Sequence, residues 1–227
     1  MPRIARIVVG GFPHHIIQRG NNRQNVFFDD GDRRNYYSLL AHYKAKWNCE
    51  VLAHCLMPNH VHVVAEPAER EGLAKMMQAV SLCYTQYVNR KYGRTGRLWE
   101  CRYHSCLVDR EVYLWAVCRY VDTNAVRAGL VRRPEDYKWS SARAHVHGTP
   151  DRILGQAWGK RLDPDSYRAY LSEAVSQEEI ALISQSTYRG QPLAGDSLRK
   201  SLEKRLRCSL SHPPRGRPRG PQRAVCP

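Results

Sequence analysis

Apolar positions along this chain alternate between strand-like and helix-like periods, and the switches lay out an order of elements. His14 to Arg19, HHIIQR, is a short apolar-rich run stopped by Gly20 and two asparagines, which predicts a strand followed by a turn. From Asp32 to Lys46, Tyr36, Leu39, Leu40 and Tyr43 recur at helical spacing. Cys49 to Leu56 is again strand-like, and the tight turn at Pro58 and Asn59 returns the chain as His60 to Ala65, so these segments predict a hairpin. Leu73, Met76, Met77, Val80, Leu82, Tyr84, Tyr87 and Val88 give a long helix from Arg70 to Arg90, closed by the Gly93 and Gly96 loop. A strand around His104 to Val108 follows, and Asp109 suits the N-cap of a helix through Tyr113, Ala116, Val117 and Tyr120.

Strand, helix, strand, strand, helix, strand is the split pattern of ferredoxin-like α+β folds, here with an added helix that carries Tyr120. It places the His60 strand inside an antiparallel sheet, with helices expected on one face and the other free to present His60 and His62. Beyond about residue 150 the composition changes. Polar helical segments are expected near Asp163 to Ala174 and Gly195 to Arg207, followed by PPRGRPRGPQRAVCP, which has no periodicity. The expected organisation is a core domain over 1–150, a helical extension over 151–208 and a basic tail over 209–227 that is disordered in isolation.

Composition narrows the partner. A net charge of +15, from 36 Lys+Arg against 21 Asp+Glu in 227 residues, favours an anionic polymer. Nucleic acid is favoured over membrane, because no run of about 18 apolar residues exists and the opening MPRIARIVVGGFPHH is too short and polar for a signal peptide. A soluble, cytoplasmic protein is expected. The eight cysteines form no C-x-x-C pair, which argues against zinc-ribbon knuckles and a disulfide framework and leaves reduced core thiols.

The chemistry centres on LMPNHVHVVAEP. In a strand, His60 and His62 point to one face with Cα atoms about 6.6 Å apart, while Val61 and Val63 turn to the core. Two imidazoles leave a metal under-coordinated. Glu66 shares the face but lies about 13 Å beyond His62 in an extended chain, so it reads as a strand-end carboxylate. Tyr120 and Asn124 are four apart and share a helical face, so the Asn124 amide could complete the ligands and bring the Tyr120 phenol beside the ion. A free phenol, pKa about 10, is a poor nucleophile, but a nearby cation stabilises phenolate and polarises a bound phosphate. Tyr84 and Tyr87 are competing nucleophiles, with core packing or base stacking as their alternative. A second H-x-H, His145 and His147, falls in an expected loop and reads as structural or solvent-exposed.

LMPNHVHVV, GRLWECRYHSCLV, RYVDTNAVRAGLV and DYKWSS occur in an order that resembles the HUH single-tyrosine transposases, and most of all their REP-associated tyrosine transposase branch. The similarity runs from about His14 to Ser141. It implies that His60 and His62 hold a divalent ion with Asn124 as third ligand, and that Tyr120 is the nucleophile. It also implies a single-stranded DNA substrate cleaved near a hairpin foot and rejoined through a 5′-phosphotyrosine. The ion implied is magnesium or manganese, although imidazole ligands equally suit Zn²⁺. Bond energy is kept in such an intermediate, which agrees with the absence of a G-x-x-x-x-G-K-[ST] loop. One departure is Ala125, where the family often has proline. Relatives include helix-exchanged dimers and, in the repeat-associated branch, monomers, so monomer and homodimer both stay open.

Arg19, Trp99, Arg102 and Arg127 are candidates for gripping a single strand by phosphate contact and stacking, with core packing as the alternative for Trp99. RGRPRG, with Arg215, Arg217 and Arg219, resembles an AT-hook for A/T-rich duplex, and a plain solvated basic tail reads equally well. Three functions follow: a metal-dependent DNA strand transferase, a non-catalytic DNA-binding regulator on the same fold, and a metal-dependent nuclease that uses water.

Overall fold

In the computed structural model, residues 6–155, 163–173, 175–207 and 209–210 are described. The tail with Arg215, Arg217 and Arg219 lies outside them.

Four strands, β1 (His14–Arg19), β2 (Cys49–Met57), β3 (His60–Pro67) and β4 (His104–Leu107), form one sheet in the order β2-β3-β1-β4. Every pairing is antiparallel, and β3 is hydrogen-bonded on both sides. The fold is therefore the expected ferredoxin-like α+β arrangement, with the histidine strand interior.

One face carries α1 (Asp30–Lys46) and α2 (Gly72–Lys91). Ile16, Val61, Val63 and Ala65 meet Tyr36, Leu40, Met76, Met77, Val80 and Tyr84 there. The α1 boundary is set by a reciprocal capping box between Asp29 and Asp32, two residues before the expected start. Tyr84 is fully buried with its hydroxyl donating to the Val26 carbonyl at 2.7 Å, and the Tyr87 hydroxyl donates to Asp32, so both tyrosines serve the core.

The other face is not free. It is covered by α3 (Leu114–Asp122), the short α4 (Asn124–Arg127), α5 (Ala142–His147), α6 (Pro164–Ser172) and α7 (Gln177–Arg189), with α8 (Asp196–Leu206) packed at one end. The reason lies in the alternation of the strands. Cys55, Val64 and Cys106 are apolar on this side too, and they bury against Val117, Cys118, Val121 and Ile183. Asp109 does not cap α3. Its carboxylate accepts from the backbone of Glu111 and Gly195, and the helix begins only at Leu114. After Asn124 the chain stays helical, with Ala125 fully buried where a relative would carry proline.

The helix α7 was not anticipated, although its signals are in the chain. The Ser176 hydroxyl caps the Glu179 amide at 3.1 Å, and Gly190 ends the helix at φ 68°.

Candidate active site

The helix α3 is clamped from two sides before any ligand is considered. Arg119, 5% exposed, donates to Glu179 of α7 at 2.9 and 3.1 Å, and its guanidinium lies 3.9 Å from the Tyr170 ring centre. Asp122, fully buried, accepts from Ser141 at 2.6 Å, from His145 Nδ1 at 2.6 Å and from the Tyr167 hydroxyl at 2.8 Å. The other nitrogen of His145 donates to the Leu52 carbonyl at 3.0 Å. His145 is therefore a structural histidine, while His147 is exposed on the same short helix. These contacts fix the roll of α3, so that Tyr120 faces the sheet, and Asn124 follows as the first residue of α4 instead of continuing the same helix.

There they meet the histidines. The rings of His60 and His62 are 4.9 Å apart between centres, and Tyr120 stands edge-on to His62 at 5.6 Å. Asn124 Nδ2 lies 2.9 Å from His62 Nε2. The side chains come from an interior strand, the clamped α3 and the start of α4, and His62, Tyr120 and Asn124 are each less than a tenth exposed. Burial holds the pKa of His60 down to about 4, helped by Arg19 and Arg127. Burial pushes His62 well below its ordinary value, with His60 and His15 adding to the effect. Both imidazoles are thus neutral near pH 7 and keep a lone pair. Burial raises the Tyr120 phenol, against which Arg127 and the Ser184 hydroxyl favour phenolate.

The donor set fits a divalent cation. His60 Nδ1 is engaged by the Asn59 side-chain oxygen at 2.6 Å, so Nε2 is the nitrogen that would ligate an ion. His62 Nε2 faces Asn124, whose amide oxygen is a further neutral donor. Among the described residues no cluster of three or more His, Cys, Asp or Glu side chains forms a metal-binding group by itself, so an ion here would rest on two imidazoles and the amide.

The family of IS200-like transposases matches residues 9–124, slightly more than half of the 227-residue chain. The chain belongs to the IS200-like transposase family. The match spans His60, His62 and Tyr120 and ends on Asn124. Among solved structures, a REP-associated tyrosine transposase bound to a REP hairpin is similar at 14% identity and TM-score 0.56, over 70% of this chain and 93% of that one. A Deinococcus radiodurans protein described as a candidate transposase is 17% identical at TM-score 0.38, over 48% of this chain and 88% of its own. The first shows that the fold is shared. Among curated proteins nothing matches.

The residues expected to grip DNA are placed differently from one another. Arg127 is exposed, yet its guanidinium lies 4.3 Å from the Tyr120 ring centre and it donates to the Thr123 hydroxyl and the Tyr120 carbonyl. Arg19 is opposite His60 in the sheet and 5.9 Å from the Tyr188 ring centre, so it borders the site. Arg102 is exposed, and with Arg97 it edges a cavity of about 660 Å³ against α2. Trp99, 7% exposed, packs with Tyr36 and Tyr84 in the core and also lines that cavity. Glu66 pairs with Arg110 at 2.6 Å, away from the histidines.

His15 was not anticipated from the sequence. This residue of β1 is fully buried, with Nε2 at 3.0 Å from His62 Nδ1 and its ring centre 5.5 Å from that of Tyr120. The only signal was strand parity. His15 and His62 reach one face because the register pairs His15 with Val64 and Ile17 with His62, which makes them diagonal neighbours.

Among the described residues no helix is long and apolar enough to cross a membrane.

Proposed function

We propose that this IS200-like transposase is a metal-dependent single-tyrosine DNA strand transferase of the REP-associated kind, acting on single-stranded DNA near a hairpin. The observation that carries the reading is Asn124 Nδ2 at 2.9 Å from His62 Nε2, with Tyr120 packed edge-on against the same imidazole. Tyr120 Oη gives up its proton to solvent and attacks the scissile phosphorus. A P–O bond forms to tyrosine, the P–O3′ bond breaks, and the 3′-oxygen leaves as a hydroxyl after taking up a proton. The free 3′-hydroxyl of a strand reverses the step and releases Tyr120. His60, His62 and Asn124 would hold Mg²⁺ or Mn²⁺, which when bound polarises the phosphate and favours phenolate. Arg127 draws the phenol toward its ionised form and lies open to a phosphate oxygen. The similarity to a structure bound to a REP hairpin supports a hairpin substrate, and Arg215, Arg217 and Arg219 would add contact to A/T-rich duplex.

The test is incubation with hairpin-bearing single-stranded DNA and Mn²⁺, followed by denaturing electrophoresis. A covalent protein–DNA adduct, absent in Tyr120→Phe, is expected. Cleavage without an adduct and unchanged by that substitution would replace the reading with a water-using nuclease. A second reading, non-catalytic binding, draws on Tyr120 being only 7% exposed beside Ser184 and Tyr188 of α7. Tight hairpin binding with neither adduct nor cleavage would establish it.

A further inference from the structure

The family match ends at Asn124, yet the hydrogen bonds that lead to His62 begin far beyond it, at Thr187 on α7. Thr187 is fully buried, and its hydroxyl donates to the Ile183 carbonyl one helical turn back at 2.8 Å. A hydroxyl has a single proton, so with that proton committed Thr187 Oγ1 is left as an acceptor. Two groups use it. The Cys106 thiol approaches at 3.3 Å, and His15 Nδ1 lies at 2.8 Å. His15 Nδ1 must therefore carry the proton.

The consequence passes to the next ring. A neutral imidazole protonated on Nδ1 presents a lone pair at Nε2. That lone pair faces His62 Nδ1 at 3.0 Å, with the two rings only 8° from parallel. Two facing ring nitrogens share one proton, so His62 Nδ1 is the donor and His62 Nε2 holds the lone pair. This is the nitrogen that faces Asn124. Were the chain to run the other way, His62 would present an N–H to the site and ligate nothing.

We infer that Thr187 and His15 are positioning residues that set the Nδ1–H tautomer of His62 and so aim its Nε2 lone pair into the site. The inference rests on the proposed function for the cation that this lone pair serves, whereas the tautomer is a property of the metal-free protein. It makes the C-terminal α7 a working part of the site, because a ligand on β3 takes its orientation from a threonine outside the family-matched region. Protein groups behind a metal-bound histidine commonly act in this way, and losing one costs about 10- to 100-fold in metal affinity.

The experiment uses the full-length chain without metal. Long-range ¹H–¹⁵N correlation spectra of the imidazoles at pH 7.5, assigned with His15→Gln and His62→Gln, report the tautomer of each ring directly. Both His15 and His62 are expected as Nδ1–H. Thr187→Val, close in shape but without the hydroxyl, should shift both rings toward Nε2–H and weaken Mn²⁺ binding by calorimetry about 10-fold or more, with hairpin affinity within about two-fold of wild type. Thr187→Ser should restore tautomer and affinity. Wild-type His62 found as Nε2–H overturns the inference without recourse to any variant. So does a folded Thr187→Val protein with unchanged tautomers and Mn²⁺ affinity. Failure of the transferase reading looks different: the tautomers stand as assigned while the adduct never forms.

Discussion

The guanidinium of Arg127 covers the ring of Tyr120 at 4.3 Å and donates to the Tyr120 carbonyl at 2.8 Å, so one exposed cation touches both the side chain and the backbone of the proposed nucleophile. Burial raises the phenol, and Arg127 is the first group acting against that rise. Arg127→Ala should therefore slow adduct formation and displace its alkaline rise to higher pH. A preorganised buried donor is worth 10²- to 10³-fold, and solvent around Arg127 reduces this, so a loss of about 10-fold is expected. Arg127→Lys keeps the charge without the planar fork and should fall between. Single-turnover adduct rates from pH 6 to 10 on saturating hairpin DNA decide it. Equal rates for Arg127→Ala and wild type at every pH would remove Arg127 from the activation of Tyr120.

The buried histidines make the fold sensitive to acid. His14 donates from Nδ1 to the Phe12 carbonyl at 2.8 Å and accepts the Val9 amide on Nε2 at 3.4 Å, so its native form is neutral. Burial lowers its pKa from 6.5 to about 4. Between those values the unfolded chain binds the extra proton and the folded chain does not, so stability rises with pH there. It is at its full value above about pH 6.5 and is lost progressively as the pH falls through the folded value, by up to about 3 kcal/mol for one such group. His15, lowered to about 3, acts in the same direction. Urea unfolding at pH 7.5, 6, 5 and 4 should show the decline, and His14→Gln should flatten it. A His14→Gln slope identical to wild type would show that the acid sensitivity lies elsewhere.

What could be read from the chain was whatever depends on local period. The four strands, α1, α2 and the pairing of Tyr120 with Asn124 follow from spacings of two and four, and the His60–His62 face follows from strand parity. Cross-strand register was not legible, and His15 depends on it: its role exists only because Ile17 is paired with His62. Docking was not legible either. Ser176, Glu179 and Gly190 announce a helix, but nothing local says that its Thr187 will reach β1. The face expected to be free is covered for the same reason, since an amphipathic stripe says that a helix buries itself without saying where. Nothing local marks Asp122 as an anchor, because Ser141, His145 and Tyr167 reach it only in the folded chain.

That Asp122 cluster makes a stability prediction. Both ring nitrogens of His145 face acceptors, and Nδ1 lies 2.6 Å from the Asp122 carboxylate in a site with no exposure on either side chain. Removing one partner strands the other, which costs about 3–5 kcal/mol for a buried pair. Asp122→Asn and His145→Gln should each fall in that range by chemical denaturation. The double variant, an amide facing an amide, should lose clearly less than the sum, with a coupling of about 2 kcal/mol. Additive losses would mean that the two residues stabilise the fold independently.

The same clamps bear on whether one chain suffices. Arg119 to Glu179 and Asp122 to His145 tie α3 to elements of its own chain, and the Tyr120 they position faces the His62 of that chain. We predict an active monomer, and complementation between defective chains tests it. Tyr120→Phe keeps the histidines and lacks the nucleophile; His62→Ala keeps the nucleophile and lacks a ligand. Each alone should form no adduct, and an equimolar mixture, unfolded together and refolded, should form none either. Were α3 exchanged between two protomers, half of the dimers would be mixed, each with one complete site, and the mixture would recover about a quarter of wild-type adduct. Recovery near that level would make the clamps contacts between chains and the dimer the active unit.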